Sequence, residues 1–176
     1  MVDHDARQAS DFDQAKAEQL GKSLDDGGIS ISLMGFSATI EDQISLSRRG
    51  LAFDLDCGGA AWAKVDAIHL VGVFPFAITL QAAAVDDRPA TNFGRIFVAL
   101  RISYEFNVPL DEQPDDALEN FVGFYGFLHL WPYARAEVQS LSAKLGLPPL
   151  VLPVLRPGLL PNTLSIRRMS EQTESD

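Results

Sequence analysis

The chain has 176 residues, 47% of them hydrophobic, enough for one domain with a buried core and too apolar for a disordered chain. A formal net charge of −10 and a pI of about 4.6 repel a phosphate backbone and argue against nucleic acid as a partner. A single cysteine, Cys57, excludes an internal disulfide and fits a reducing compartment. The polar start "MVDHDARQASDFDQAKAEQL" has neither signal- nor transit-peptide character. No apolar run is long enough to span a bilayer, so a soluble, cytoplasmic protein is expected.

In chain order, residues 1–28 read as an acidic arm, weakly ordered, with room for a short helix in "FDQAKAEQL". Four strand-like stretches follow. "ISISLMGFSATI" alternates at Ile29, Ile31 and Leu33 until Gly35 interrupts it, which predicts a bulge or a twist. "LAFDLD" sets Leu51, Phe53 and Leu55 against Asp54 and Asp56. A third stretch places Ile68, Leu70, Phe74, Phe76, Ile78 and Leu80 on one face. Pro75 on its other face predicts an edge or an irregular strand. The fourth, "RIFVALRISYEFNV", turns Ile96, Val98, Leu100, Ile102, Tyr104 and Phe106 one way and its charged residues the other. That is the period of a half-buried antiparallel strand. Gly-, Asp- and Pro-bearing links such as "DCGGAAWAKVD" and "AVDDRPATNFG" read as loops, and "EDQISLSRRG" is long enough to cross over.

Pro114, Asp115 and Asp116 then supply a helix start with acids at the positive end of the dipole. The helix runs into "FVGFYGFLHLWPYARAEVQSLSAKLGLPPL", where Pro132 would open a second helical half and so mark a kink. Ala134, Val138, Leu141 and Leu145 form the apolar face of that half, which stops at Gly146 before Pro148 and Pro149. Gly123 and Gly126 lie three apart and allow a close backbone approach, either by the helix's own sheet or by a helix of a second subunit. The expectation taken here is a subunit interface at Gly123, Gly126 and Phe127.

Reactive chemistry is sparse. His4, His69 and His129 lack metal-ligand spacing to each other, to Cys57 or to carboxylates. There is neither a phosphate loop nor a serine elbow, so no metal, cofactor or enzymatic activity is expected. The chain carries instead more large apolar groups than one sheet and one helix consume. Phe36, Trp62, Phe124, Tyr125 and Trp131 are among them, and "LGLPPLVLPVLRPGLLPNTL" adds leucines on a segment that cannot be a regular helix. Surplus of this kind marks oligomer contacts or a binding groove.

The run Trp131, Pro132, Tyr133, Ala134, Arg135, with the helix and leucine-rich loop after it, resembles the SecB family of export chaperones. The strand order and "LAFDLD" agree with it, over roughly residues 29–156. The resemblance implies an α+β fold, a four-stranded antiparallel sheet with a long kinked helix on one face. It implies a homotetramer, a dimer of dimers, and an ATP-independent holdase that keeps unfolded or pre-secretory clients in apolar grooves. It also implies the SecA translocation motor or an antitoxin as partner. Two departures, a long N-terminal arm and a second helix that is short or missing, fit SecB-like proteins attached to toxin–antitoxin systems. A purely structural oligomerisation protein without client-holding activity is the alternative. The domain is expected at 29–165, with a polar tail at 166–176. Chain order places the client groove at Phe36, Ile40, Trp62, Leu150, Leu152 and Leu155, and the competing reading is that these residues finish the core.

Overall fold

A computed structural model describes residues 7–8, 12–41, 50–84, 89–155, 160 and 163–169. The four stretches with period two form strands: β2 (Leu24–Ile40), β3 (Leu51–Asp56), β5 (His69–Ala82) and β6 (Thr91–Phe106). They pair antiparallel, β2 on β6, β6 on β5 and β5 on β3. Three short strands widen the sheet: β1 (Arg7–Gln8), β4 (Ala60–Lys64) and β7 (Ser165–Arg168). The order is β1-β7-β4-β5-β6-β2, with β3 also on β5. The β4–β7 pair is parallel, so the sheet is mixed rather than purely antiparallel.

Two of these strands fall where loops or tail were expected. β4 lies within "DCGGAAWAKVD", and β7 straddles the expected domain end at residue 165. Both β3 and β4 pair with the same side of β5. Asp56 stands opposite Ala77 and Ala61 opposite Val73, so five residues answer four across the turn at Cys57–Gly59. Pro75 falls opposite this break, where a missing N–H leaves no ladder bond unmade. The proline therefore marks an interruption in the neighbouring strand, while β5 itself is central.

The even-numbered face of β6 is buried from Ile96 to Phe106, as its alternation predicts. A long helical unit covers it: α2 (Asp115–Phe121), a π-helical turn (Val122–Gly126) and α3 (Phe127–Lys144). Aromatic rings lock helix to sheet. Phe121 meets Tyr104 edge-on with ring centres 4.8 Å apart, and Phe127 lies 5.8 Å from Phe76. Each large side chain fully buried in this layer contributes about 1.5–3 kcal/mol.

The irregularity in the helix is not where Pro132 suggested. Pro132 is inside α3, with helix continuing on both sides, and the departure from α geometry is the π turn about two to three turns earlier. Gly126 lies in that turn, and a Cβ there would stand 2.9 Å from the Phe74 ring of β5. Absence of a side chain thus lets the widened turn settle on the sheet.

The expected N-terminal arm also carries structure. α1 (Gln14–Gly21) is capped by the Asp13 carboxylate, which accepts from Ala15 N–H at 3.0 Å and Lys16 N–H at 3.3 Å. It docks on α2 through buried Ala17 and Leu20, and the Asp13 N–H donates to Asn120 Oδ1 at 2.7 Å. β2 then begins at Leu24, ahead of the boundary read from the sequence. Residues 42–49 of the expected crossover link lie outside the described residues.

Candidate functional site

A helix is about 10 Å across and strands are about 4.8 Å apart, so one helix covers about two strands. The helical unit sits over β5 and β6, and β2 is the outermost strand beside them. Its helix-side face is consequently left half open. Ile29, Ile31 and Leu33 share that face with Tyr104, Ile102 and Leu100 of β6. The register shifts at Met34, so Gly35 pairs with Ala99 and Phe36 with Val98. The bulge brings Phe36, Ala38 and Ile40 back onto the same face as Leu33. Among the large members, Ile29 and Leu33 are each 42% exposed, Phe36 55% and Ile40 38%. The segment 29–40 carries no charged residue, and β2 has β6 as its only strand neighbour among the described residues. Natural edge strands are usually blunted by charge or proline, and an uncharged apolar edge is a template for another chain.

The helical unit forms the opposite wall. Tyr125 and His129 face Ile29 and Leu24 across an open cavity of about 390 Å³, closed on its third side by Glu18, Gly21 and Lys22 of the α1 segment. Helical spacing of four puts Tyr133, half exposed, on the same side as Tyr125 and His129. At the far end the Lys144 ammonium stands 5.9 Å from the Phe36 ring centre, a cation over an aromatic face. Burial pushes the Tyr104 phenol well above its usual range, and its hydroxyl lies in hydrogen-bond contact with His129 Nδ1 at 3.0 Å. Partial burial lowers the His129 pKa and favours the neutral imidazole. The groove is thus an apolar, aromatic-walled trough with uncharged imidazole and hydroxyl groups at one end.

Elsewhere, Cys57 is buried and its thiol is pushed up to about 12, first by desolvation and then by the neighbouring Asp56 charge. A thiol in that state is protonated and unreactive.

No family model matches the chain, and no curated protein matches it. In structure it matches a SecB-like chaperone of Mycobacterium tuberculosis, Rv1957, with a TM-score of 0.70 at 20% sequence identity. The match covers 83% of this chain and 100% of that one. The fold is SecB-like. That structure is a complex with a ChAD peptide from the Rv1956 HigA1 antitoxin.

Within this SecB-like fold, the run Trp131–Arg135 ties the proline-rich loop to the helix. Trp131 Nε1 donates to the Pro153 carbonyl at 3.0 Å, and Arg135 Nε donates to the Leu152 carbonyl at 2.9 Å. Ser142 Oγ accepts from the Leu150 N–H at 2.8 Å. Three side chains on one helix flank thereby supply the partners that a loop with prolines cannot find in itself.

This docking decides the fate of the expected groove residues. Leu150 and Leu152 are drawn under the loop and buried, and Trp62 of β4 is only 1% exposed. These three complete the core and do not line an open groove. Leu155 is partly buried against the core. Phe36 and Ile40 lie on the open stripe. The expected interface residues are turned inward too. Gly126 receives Phe74, Gly123 receives the Phe12 ring, and Phe127 is fully buried among Phe74, Phe76 and Trp131. Sequence reasoning did not single out Ile29, Leu33, Tyr125 and His129 as groove residues. The signal for the first two was present, an uncharged strand, but nothing marked that strand as outermost.

Proposed function

We propose that this protein is an ATP-independent holdase that keeps an unfolded polypeptide segment in the groove between β2 and the helical unit. The observation that carries the reading is the uncharged, apolar edge of β2, half exposed beneath a helix that leaves it uncovered. An edge strand offers N–H and C=O groups to any extended segment, whatever its sequence, and the stripe rewards apolar side chains at alternate positions. A client without a fixed fold supplies both. The structural likeness to a chaperone solved with an antitoxin peptide supports a dedicated client, such as an antitoxin, over general export with the SecA motor. Among the described residues after the loop the chain forms the strand β7, which favours the same choice.

The holdase works in the cytoplasm as a homotetramer, a dimer of dimers. Light scattering that reports a stable monomer overturns that part of the proposal. The holding function is tested by mixing the native protein and a Leu33→Glu, Ile40→Glu variant with a denatured enzyme diluted from urea. The native protein is expected to suppress turbidity at stoichiometric amounts, and the double variant to suppress it poorly while melting at a similar temperature. A native protein without effect on turbidity would leave the structural-oligomer alternative standing.

A further inference from the structure

Two contacts pin the helical wall of the groove to its floor, one near each end. His129 and Ile29 line the same cavity, and the Lys144 ammonium stands over the Phe36 ring. From His129 to Lys144 the helix rises about 22 Å, and β2 from Ile29 to Phe36 spans about 20 Å once its bulge is allowed for. Wall and floor therefore run side by side. Interpolating between the pinned ends sets Tyr133 level with Ile31 and Glu137 level with Leu33. His129, Tyr133, Glu137 and Lys144 recur at steps of four and seven, which keeps them on one flank of α3. The other flank is taken by the loop, through Trp131, Arg135 and Ser142.

The floor between residues 29 and 40 has no charge, so the charges along the groove belong to the wall and to α1. Glu137 is half-buried, and neither it nor Lys144 forms an ion pair among the described residues. Lys144 lies on an aromatic ring instead. At the cavity end, Glu18 accepts from Gln14 Nε2 at 2.8 Å, and Lys22 stands beside it. A carboxylate partly withdrawn from water gains more from a counter-charge than a fully exposed one does. The uncharged strand facing Glu137 has none to offer, whereas a side chain entering the trough can bring one.

We propose that Glu137 and Lys144 determine the specificity of the groove. Glu137 receives a lysine or arginine, and Lys144 an aspartate or glutamate, of a client whose other helix-facing side chains are apolar. The inference rests on the client-holding function above. In an extended client, helix-facing residues recur about every 6.8 Å, and the two wall charges are about 10 Å apart along α3. A cation and an anion two or four positions apart in the client can therefore reach both, given the length of the side chains. The net charge of −10 alone favours any basic chain. Lys144 turns that general preference into one of pattern, because it rewards an acid that the rest of the chain repels.

Four synthetic peptides of one alternating apolar sequence test this: uncharged, with one lysine on the apolar face, with one glutamate there, and with both, four positions apart. The native protein is expected to bind the doubly charged peptide several-fold more tightly than the uncharged one, and to lose that advantage in about 0.5 M salt, where charges are screened within about 4 Å. Glu137→Gln should lose the preference for lysine and keep that for the added glutamate. Lys144→Gln should do the reverse, and the uncharged peptide should bind all three proteins alike. Glu137→Lys should favour the glutamate peptide over the lysine one. A lysine preference that survives Glu137→Gln, a gain from the added glutamate that survives Lys144→Gln, or equal binding of all four peptides by the native protein each overturn the charge assignment while leaving the holding function intact. A native protein that binds none of the peptides overturns both.

Discussion

Truncating Trp62 to alanine separates a core residue from a groove residue by energy alone. Trp62 is 1% exposed, on β4 between β5 and β7, with the Arg168 guanidinium 5.4 Å from its ring centre. Removing a buried aromatic costs about 3–5 kcal/mol. One term runs the other way. The Trp62 Nε1–H has no hydrogen-bond partner among the described residues, and an unmet buried donor costs about 1–3 kcal/mol, which the truncation relieves. The mid-values leave a net loss of about 2 kcal/mol, and for a chain of this size that lowers Tm by roughly 4–8 °C. Trp62→Phe keeps most of the packing and removes the orphan donor, so it should be neutral or stabilising. Phe36→Ala begins from a side chain already 55% exposed, so it forfeits about 1 kcal/mol, or roughly 2–4 °C. It should nonetheless weaken capture of an unfolded client about ten-fold or more. Thermal melts of the three variants, with client titrations on each, give the comparison. If Trp62→Ala holds its Tm and selectively loses client, or Phe36→Ala melts as far as Trp62→Ala and captures client normally, the assignment of core and groove is reversed.

Pro132→Ala restores an N–H donor to the Leu128 carbonyl within α3, and should raise stability by about 1 kcal/mol or more, read as a higher urea midpoint. His129 should confer a pH dependence. Its pKa is lowered in the folded chain, so below the ordinary value of about 6.5 the unfolded chain binds more protons. The stability present above that value is lost as pH falls through the lowered pKa. His129→Gln should flatten the fall in urea midpoint between pH 7 and pH 5, and an unchanged slope counts against burial of the imidazole. Cys57, with a thiol pushed up to about 12, should react with a soluble disulfide reagent at pH 8 only as fast as the protein opens, and at once in denaturant.

The centre of the fold was legible because its physics is local. The period-two pattern of Ile96–Phe106 and the helical spacing of Ala134, Val138 and Leu141 each declare a buried face without reference to anything distant. The bulge at Gly35 was legible for the same reason. What could not be read was adjacency. Short strands such as β4 and β7 have too few residues for a period, and they exist because residues about 100 positions apart pair, as Ala60 does with Ile166. The site suffered most from this. Phe36 and Trp62 are equally apolar in sequence, and only the order of strands in the sheet puts one at the rim and the other in the interior. The glycine pair was recognised as a place of close approach, but the groups that approach, Phe74 and Phe12, come from the same chain.

The extra residue at Met34 gives β2 two reading frames. Before it, odd-numbered residues point toward the helix; after it, even-numbered ones do. Met34 itself has no partner in the register with β6, and it is 57% exposed. Deleting it would leave Leu33, Gly35 and Phe36 in plain alternation opposite Leu100, Ala99 and Val98, so Phe36, Ala38 and Ile40 would stay on the helix side and only the irregularity would go. Deleting Ser37 instead, with the bulge kept, would turn Ala38 and Ile40 to the far side of the sheet and bring Thr39 into the trough. A loss of one residue is therefore silent or face-changing according to where along the strand it falls.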